Sequence, residues 1–142
     1  MNKLTILIVI LAAFFVLGVG YFYRQTPVSQ PKNQPNFEIF IKNLEVPWAL
    51  AFLPNNDLLI TERKGTVRLI KKGNLLQEPI ANINIKQIGE SGLHGIAIHP
   101  KYPNPSYVYL YYTYSADNDT TLNRVSRFTF TKDSLTDEQI IV

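Results

Sequence analysis

The sequence predicts an all-β protein that begins a β-propeller, and two observations support this. A block of apolar residues closed by proline occurs twice, each time followed by a second apolar run: Pro47–Pro54 with Leu58–Thr61, and Leu93–Pro100 with Val108–Thr113. Ala97 follows Ala51 by 46 residues, within the period of about 40–50 that marks four-stranded propeller blades. Beyond the N-terminal segment, no stretch has the length and 3.6-residue period of an amphipathic helix.

The first unit predicts a meander of short strands. We expect a strand to begin at Phe37–Ile41 and a second, apolar and bounded by prolines, over Ala49–Leu53, buried on both faces. Two further strands, Leu58–Glu62 and Thr66–Lys71, are separated by the turn Lys64-Gly65. Consecutive antiparallel strands joined by tight turns make up one blade.

The second unit repeats this order with longer loops. Tyr107–Tyr114 predicts a strand whose Tyr107, Tyr109 and Tyr111 share one face, while Val108, Leu110 and Tyr112 share the other. The Asp- and Asn-rich residues 115–121 predict a loop, and Leu122–Thr131 predicts the next strand. A closed six-bladed ring would need roughly 270 residues at about 45 per blade, and 106 residues follow position 36. We therefore expect about two blades.

The N-terminal segment, residues 1–24, predicts a membrane anchor. Residues 4–23 are almost wholly apolar and would span roughly 30 Å as a helix. A cleavable signal remains an alternative, with a weak site at Gly18–Gly20, but the long run and the following Tyr21–Arg24 favour an uncleaved anchor. We expect a membrane-anchored, extracytoplasmic protein, or a secreted one if cleavage occurs. The proline-rich residues 25–36 predict an extended linker before the globular part, residues 37–142.

Composition excludes several kinds of partner and site. The net charge of +3 and the pI near 9.1 come from scattered basic residues interleaved with acidic ones, which argues against nucleic-acid binding. The chain has no cysteine, so it forms no disulfide and no cysteine-ligated zinc site. His94 and His99 lie five residues apart and point to opposite faces of a regular strand, so they cannot share a metal. We predict no metal site in this chain.

Candidate functional residues lie just before the first strand of each blade, at the channel mouth. The repeat places Trp48 over His94, and the glycine-rich turn of residues 89–95 carries Glu90. Its glycine spacing is not that of a dinucleotide-binding loop and is explained by a tight turn. Glu90 could act as a base, bind a polyhydroxyl ligand or be an ordinary solvated carboxylate. His94 is a functional candidate, and His99 is expected to be structural.

Two blocks of this sequence resemble the glucose/sorbosone dehydrogenase family. They are LEVPWALAFLPNNDLLITERKGTVRLI (Leu44–Ile70) and GESGLHGIAIHPKYPNPSYVYLYYTY (Gly89–Tyr114). The resemblance implies a six-bladed propeller that holds pyrroloquinoline quinone (PQQ), with calcium beside it, and oxidises the anomeric carbon of an aldose. It also implies that the catalytic histidine, the calcium ligands and the basic residues that hold PQQ follow position 142, so no catalytic residue is assigned in this chain.

The sequence departs from the family pattern in the turn before the second inner strand. Where the glucose dehydrogenases have a glutamine near cofactor and sugar, this chain has Glu90, and Leu93-His94 replaces the usual pair of leucines. Three interpretations remain: the N-terminal part of a membrane-tethered, PQQ-dependent sugar dehydrogenase, inactive in isolation; a non-catalytic binding propeller of the same superfamily; or a calcium-dependent lactonase-like propeller.

Overall fold

A computed structural model of the chain describes residues 37–117 and 120–142. The predicted membrane segment, residues 4–23, and the linker, residues 25–36, lie outside the described residues. Within the described ranges, no helix is both long enough and apolar enough to cross a membrane. Residues Ile39–Val142 form one compact unit.

The described chain is built from nine β-strands, which confirms the all-β prediction. They are β1 (Pro47–Phe52), β2 (Leu58–Glu62), β3 (Thr66–Lys71), β4 (Asn74–Leu75), β5 (Ala81–Asn82), β6 (Leu93–Ile98), β7 (Tyr107–Ser115), β8 (Thr121–Thr131) and β9 (Ser134–Ile140). The short strands β4 and β5, and the edge strand β9, were not predicted from the sequence.

The strands form two antiparallel sheets that follow chain order. The N-terminal sheet has the order β1-β2-β3-β4, with β5 also pairing with β3, and the C-terminal sheet has the order β6-β7-β8-β9. Strand β6 lies beside β1 and β2, so the first strands of the two sheets are neighbours. This arrangement agrees with the two repeated units read from the sequence.

The main hydrophobic core lies between the two sheets. The N-terminal sheet contributes Leu59 and Leu69, and the C-terminal sheet contributes Leu93, Val108 and Leu110, all buried. These side chains alternate with residues on the opposite sheet faces, as the two-residue period of a strand requires. The expected division of β7 into two faces is confirmed, because Val108, Leu110 and Tyr112 are buried while the alternating tyrosines are not.

A second, smaller cluster covers the outer face of the N-terminal sheet. Leu58, Ile60 and Ile70 are buried there beneath Ile41 and Leu44. The predicted strand at Phe37–Ile41 was therefore wrong: residues 37–44 form no strand. Ile41 and Leu44 cover a sheet face instead of pairing along an edge, and the other apolar side chains of this segment are exposed.

The first inner strand is less buried than the sequence predicted. Ala49 and Ala51 are half-buried, but Leu50 is 59% exposed and Phe52 66% exposed. The prediction of burial on both faces was wrong because the described chain supplies a packing sheet on one side of β1 only. The outer side carries an exposed apolar surface.

The buried carboxylate of Glu62 holds the segment that leads into β1. Glu62 is fully buried; it accepts hydrogen bonds from the backbone N–H of Glu45 (2.6 Å) and from the hydroxyl of Thr66. Arg68 Nη1 lies 3.6 Å from its Oε1. A buried charge is tolerated when it is paired and hydrogen-bonded in this way. The segment before Trp48 is thereby tied to the β2–β3 hairpin.

Candidate functional site

Trp48 occupies a β-bulge at the start of the first inner strand. In the β1–β2 pair the register shifts between Pro47, which faces Glu62, and Ala49, which faces Thr61. Trp48 is therefore the extra residue of the pair. Bulges bend the strand and re-aim a side chain, and they are frequent next to functional sites.

His94 occupies the same kind of bulge in the second sheet. The β6–β7 register shifts between Leu93 and Gly95, and His94 follows Trp48 by 46 residues. The two rings meet edge to face with centroids 5.1 Å apart, and the His94 ring lies 5.8 Å from the Tyr111 ring. The repeat therefore places two aromatic side chains against each other where the sheets adjoin.

Thr61 joins the two bulges. Its hydroxyl donates to the carbonyl of His94 (2.8 Å) and accepts from the backbone N–H of Ala49 (3.0 Å). The side chain is fully buried, so neither partner is readily replaced by water. Sequence reasoning did not identify this residue, because a threonine within a strand gives no functional signal.

Arg63 fixes the turn that carries Glu90. Its Nε donates to the carbonyl of Ser91 (3.1 Å) and its Nη2 donates to the carbonyl of Gly89. Gly92 has a φ of +148° and packs against the Arg63 carbonyl so closely that a Cβ atom would overlap it. A glycine is required at such a position. The turn is held to the N-terminal sheet, with Glu90 exposed on it.

The three residues predicted from the sequence line one open depression of about 470 Å³. Its lining residues are Trp48, Glu90, Ser91, His94, Tyr111, Thr113, Thr121 and Asn123. The aromatic rings offer flat apolar surfaces, and the hydroxyls, amide and carboxylate offer hydrogen-bond donors and acceptors. This combination suits a neutral polyhydroxyl ligand.

The depression does not suit a carboxylate-rich ligand such as PQQ, which carries three carboxyl groups. No lysine or arginine occurs among the described residues that line it, and Glu90 contributes a negative charge. Among residues 37–117 and 120–142, no group of three or more His, Asp or Glu side chains could hold a metal ion. The depression can therefore be matched to a sugar but not to the quinone.

His99 lies outside this depression and has a local structural role. Its Nδ1 accepts a hydrogen bond from the backbone N–H of Lys101 (3.1 Å), and its ring contacts the rings of Tyr107 and Tyr109. The interaction with Lys101 stabilises the turn after β6. The expectation that His99 is structural is consistent with this geometry.

A larger cleft of about 840 Å³ lies between β5 and the outer strands of the C-terminal sheet. Some of its polar side chains contact one another or a neighbouring hydroxyl: the Tyr112 hydroxyl donates to Glu138 and lies 3.1 Å from the Ser126 hydroxyl, while Arg124 stacks on Tyr114. These contacts hold β7, β8 and β9 together. The depression at the matched bulges is preferred as a candidate ligand site because it brings together the three residues that the sequence predicted, Trp48, Glu90 and His94.

Comparison with known proteins decides the family. The sequence model described as Glucose / Sorbosone dehydrogenase matches residues 44–142. The chain belongs to the glucose/sorbosone dehydrogenase family. This confirms the resemblance found in the sequence.

Two curated proteins are similar to this chain in sequence. An uncharacterized protein of Synechocystis sp., slr1608, is 38% identical over 77% of this chain and 29% of its own length. The aldose sugar dehydrogenase YliI of Escherichia coli is 33% identical over 58% of this chain and 23% of its own length. The chain thus spans less than a third of either relative.

Solved structures show the same architecture. A putative oxidoreductase (glucose dehydrogenase) from Thermus thermophilus aligns with a TM-score of 0.65 at 39% identity, covering 72% of this chain and 30% of the other. The PQQ-bound aldose sugar dehydrogenase of Streptomyces coelicolor aligns with a TM-score of 0.61 at 28% identity, covering 70% and 30%. The two sheets of this chain therefore resemble part of the fold of glucose dehydrogenases.

Proposed function

We propose that this chain forms the first two blades of a six-bladed, PQQ-dependent aldose dehydrogenase, and that Trp48, Glu90 and His94 form one wall of its sugar site. The observation that carries the proposal is the pair of matched bulges that brings Trp48 against His94 beside Glu90. The PQQ-bound relative from Streptomyces coelicolor supports the cofactor of the whole protein.

Each residue of the wall has a distinct role in this proposal. The ring of Trp48 stacks on the apolar face of a pyranose, since aromatic rings present large flat surfaces at low conformational cost. The carboxylate of Glu90 accepts hydrogen bonds from sugar hydroxyls, and His94 supports the Trp48 ring and limits access of water. These groups bind and orient the sugar; no proton-transfer step is assigned to them.

Oxidation itself needs groups beyond this wall. When bound, PQQ supplies the hydride acceptor, but the wall does not fit its carboxylates, so no step of the oxidation is assigned to these residues. Calcium enters the proposal from the family resemblance alone. The membrane anchor at residues 4–23 and an extracytoplasmic location are proposed from the apolar N-terminal sequence.

A chimeric enzyme tests the proposal. Residues 44–142 replace the matching segment of the Escherichia coli aldose sugar dehydrogenase, and PQQ-dependent aldose oxidation is measured. We expect an active chimera in which Glu90→Ala and His94→Ala raise the KM for aldose several-fold more than they lower kcat. His99→Gln, outside the depression, serves as the control and leaves KM unchanged.

A folded chimera that oxidises aldoses with a KM insensitive to Glu90→Ala and His94→Ala would refute the assigned wall. Thermal unfolding of each variant separates this result from misfolding. The runner-up function is a non-catalytic carbohydrate-binding propeller, favoured by a wall that fits a sugar and not the quinone.

A further inference from the structure

The turn that carries Glu90 is tied to its own sheet at both ends. Lys86, before the turn, donates its backbone N–H to the carbonyl of Thr113 (3.0 Å), and Thr113 donates its own N–H to the carbonyl of Gly92 (2.9 Å). Within the turn, the Ser91 hydroxyl donates to the carbonyl of Lys86 (2.8 Å). These hydrogen bonds fix the two ends of the turn on β7.

The turn tip, residues 89–91, is held by the other sheet through the side chain of Arg63. The two carbonyls that accept hydrogen bonds from Arg63 belong to Gly89 and Ser91, the residues on either side of Glu90. A guanidinium presents its N–H groups in a rigid planar fork, so contact with both carbonyls fixes the backbone on both sides of Glu90. Arg63 itself does not line the depression.

The backbone of Arg63 contacts the segments that lead into both inner strands. Its N–H donates to the carbonyl of Val46 (3.1 Å), two residues before Trp48. Its carbonyl accepts from the N–H of Leu93 (3.0 Å), one residue before His94. The main chain at Arg63 is therefore fixed close to the start of β1, while its side chain reaches across to the turn tip.

We propose that Arg63 is a positioning residue of the sugar wall: its side chain holds the Glu90 carboxylate at a fixed place relative to the Trp48 ring, without touching the sugar. This inference rests on the proposed function and adds a residue that the wall itself does not contain. The Glu90 side chain is exposed, so its place in the depression depends on the backbone of the turn tip. Binding groups act only when they are held closely in the productive geometry.

Hydrogen exchange in the full 142-residue chain, in detergent, tests whether Arg63 holds the turn tip. Arg63→Met keeps an unbranched stem and removes the guanidinium. Arg127→Met is the matched control, because Arg127 also donates to a neighbour, Gln139, and stacks on Tyr107, but lies outside the depression. We expect a peptide that covers residues 86–93 to exchange faster in Arg63→Met and at the wild-type rate in Arg127→Met, since lost contacts lower the cost of local opening.

A double-mutant cycle in the chimeric enzyme tests whether Arg63 acts through Glu90. We expect Arg63→Met to raise the KM for aldose about threefold to tenfold, with little change in kcat. In a Glu90→Ala background, Arg63→Met should raise KM little further, because the carboxylate that it positions is already absent. Arg127→Met should leave KM unchanged in both backgrounds. A general loss of structure would raise KM equally with and without Glu90.

Arg63→Lys keeps the test decisive if Arg63→Met does not fold. Lysine retains the positive charge and the apolar stem, whose Cγ lies beside Gly92. Its donors radiate from a single atom, so it lacks the planar fork that contacts two carbonyls. We expect a folded variant with a KM between those of the wild type and Arg63→Met. Thermal unfolding of every variant identifies those that are folded.

The outcomes separate this inference from the proposed function. A raised KM in Glu90→Ala together with a wild-type KM in Arg63→Met and Arg63→Lys would overturn the role of Arg63 and leave the sugar wall intact. Equal increases in KM with and without Glu90, or unchanged exchange of residues 86–93, would also overturn it. A wild-type KM in Glu90→Ala would refute the sugar wall and, with it, the role of Arg63 in sugar binding.

Discussion

At the scale of single residues, Thr61 determines how the two bulges meet. Thr61→Val keeps the shape of the side chain but leaves the carbonyl of His94 and the N–H of Ala49 without their buried partner. Such a loss costs about 1–3 kcal/mol. We expect the free energy of unfolding in urea to fall by this amount, and the emission maximum of Trp48, the single tryptophan, to shift. Thr61→Ser retains the hydroxyl and should stay close to wild type; equal behaviour of the two variants would contradict the bridging role.

The titration of the Tyr112 hydroxyl makes the free energy of unfolding depend on pH in the alkaline range. Burial, together with the hydrogen bond to Glu138, raises the pKa of the Tyr112 hydroxyl above its usual value of 10.0. Above about pH 10 the unfolded chain therefore loses this proton before the folded chain does, so stability falls as pH rises, by at most ~1.4 kcal/mol per pH unit. Tyr112→Phe should be less stable than wild type at pH 9, and the gap should narrow by pH 11 in urea titrations. Parallel pH profiles for the two proteins would disprove this coupling.

At the scale of structural elements, the turn before β6 depends on Gly92. Gly92→Ala would force a Cβ atom into the Arg63 carbonyl, whereas Gly73→Ala, at a φ of +79°, meets open space. The second change carries only the strain of a left-handed alanine, about 1–2 kcal/mol. We expect Gly92→Ala to lower the free energy of unfolding by at least ~2 kcal/mol more than Gly73→Ala. Similar losses would show that the turn can move away from β2.

The elements that the sequence predicts well are those defined by local pattern. Strands β2 and β3 were predicted at their observed bounds because apolar and β-branched residues lie between turn residues. Strand β9 was missed because Thr136–Gln139 is polar and becomes a strand only by pairing with β8. Residues 37–41 were misassigned because an apolar run does not by itself show whether it pairs with a sheet; Ile41 packs on the outer cluster, whereas the other apolar side chains of this run are exposed.

The sequence predicted the paired residues of the candidate site but not the bulges that carry them. Aligning the two units placed Trp48 over His94 without any knowledge of contacts, and the two rings do meet. The bulges themselves arise from register shifts within two pairs of consecutive strands, and the hydroxyl of Thr61 joins them through a contact to His94, 33 residues along the chain. The two-residue period indicates which face of a strand a residue occupies, but it does not indicate where a bulge inserts an extra residue.

At the scale of the whole molecule, residues 37–117 and 120–142 present one wall of a site and do not enclose a ligand. Trp48 remains 45% exposed and Tyr111 41% exposed in the depression, whereas ligand sites usually bury 70–90% of a small molecule. Glu90 also repels the carboxylates of PQQ. We predict that the purified chain binds PQQ with a dissociation constant on the order of 1 mM or weaker and oxidises no aldose.

Equilibrium dialysis with PQQ and a dye-linked aldose assay measure both quantities, with the intact Escherichia coli aldose sugar dehydrogenase as the positive control. Glu90→Gln removes the repulsion and should tighten PQQ binding slightly without producing turnover. Micromolar binding of PQQ by the wild-type chain would mean that these two sheets hold the quinone themselves, and the assignment of the wall to the sugar alone would then be wrong.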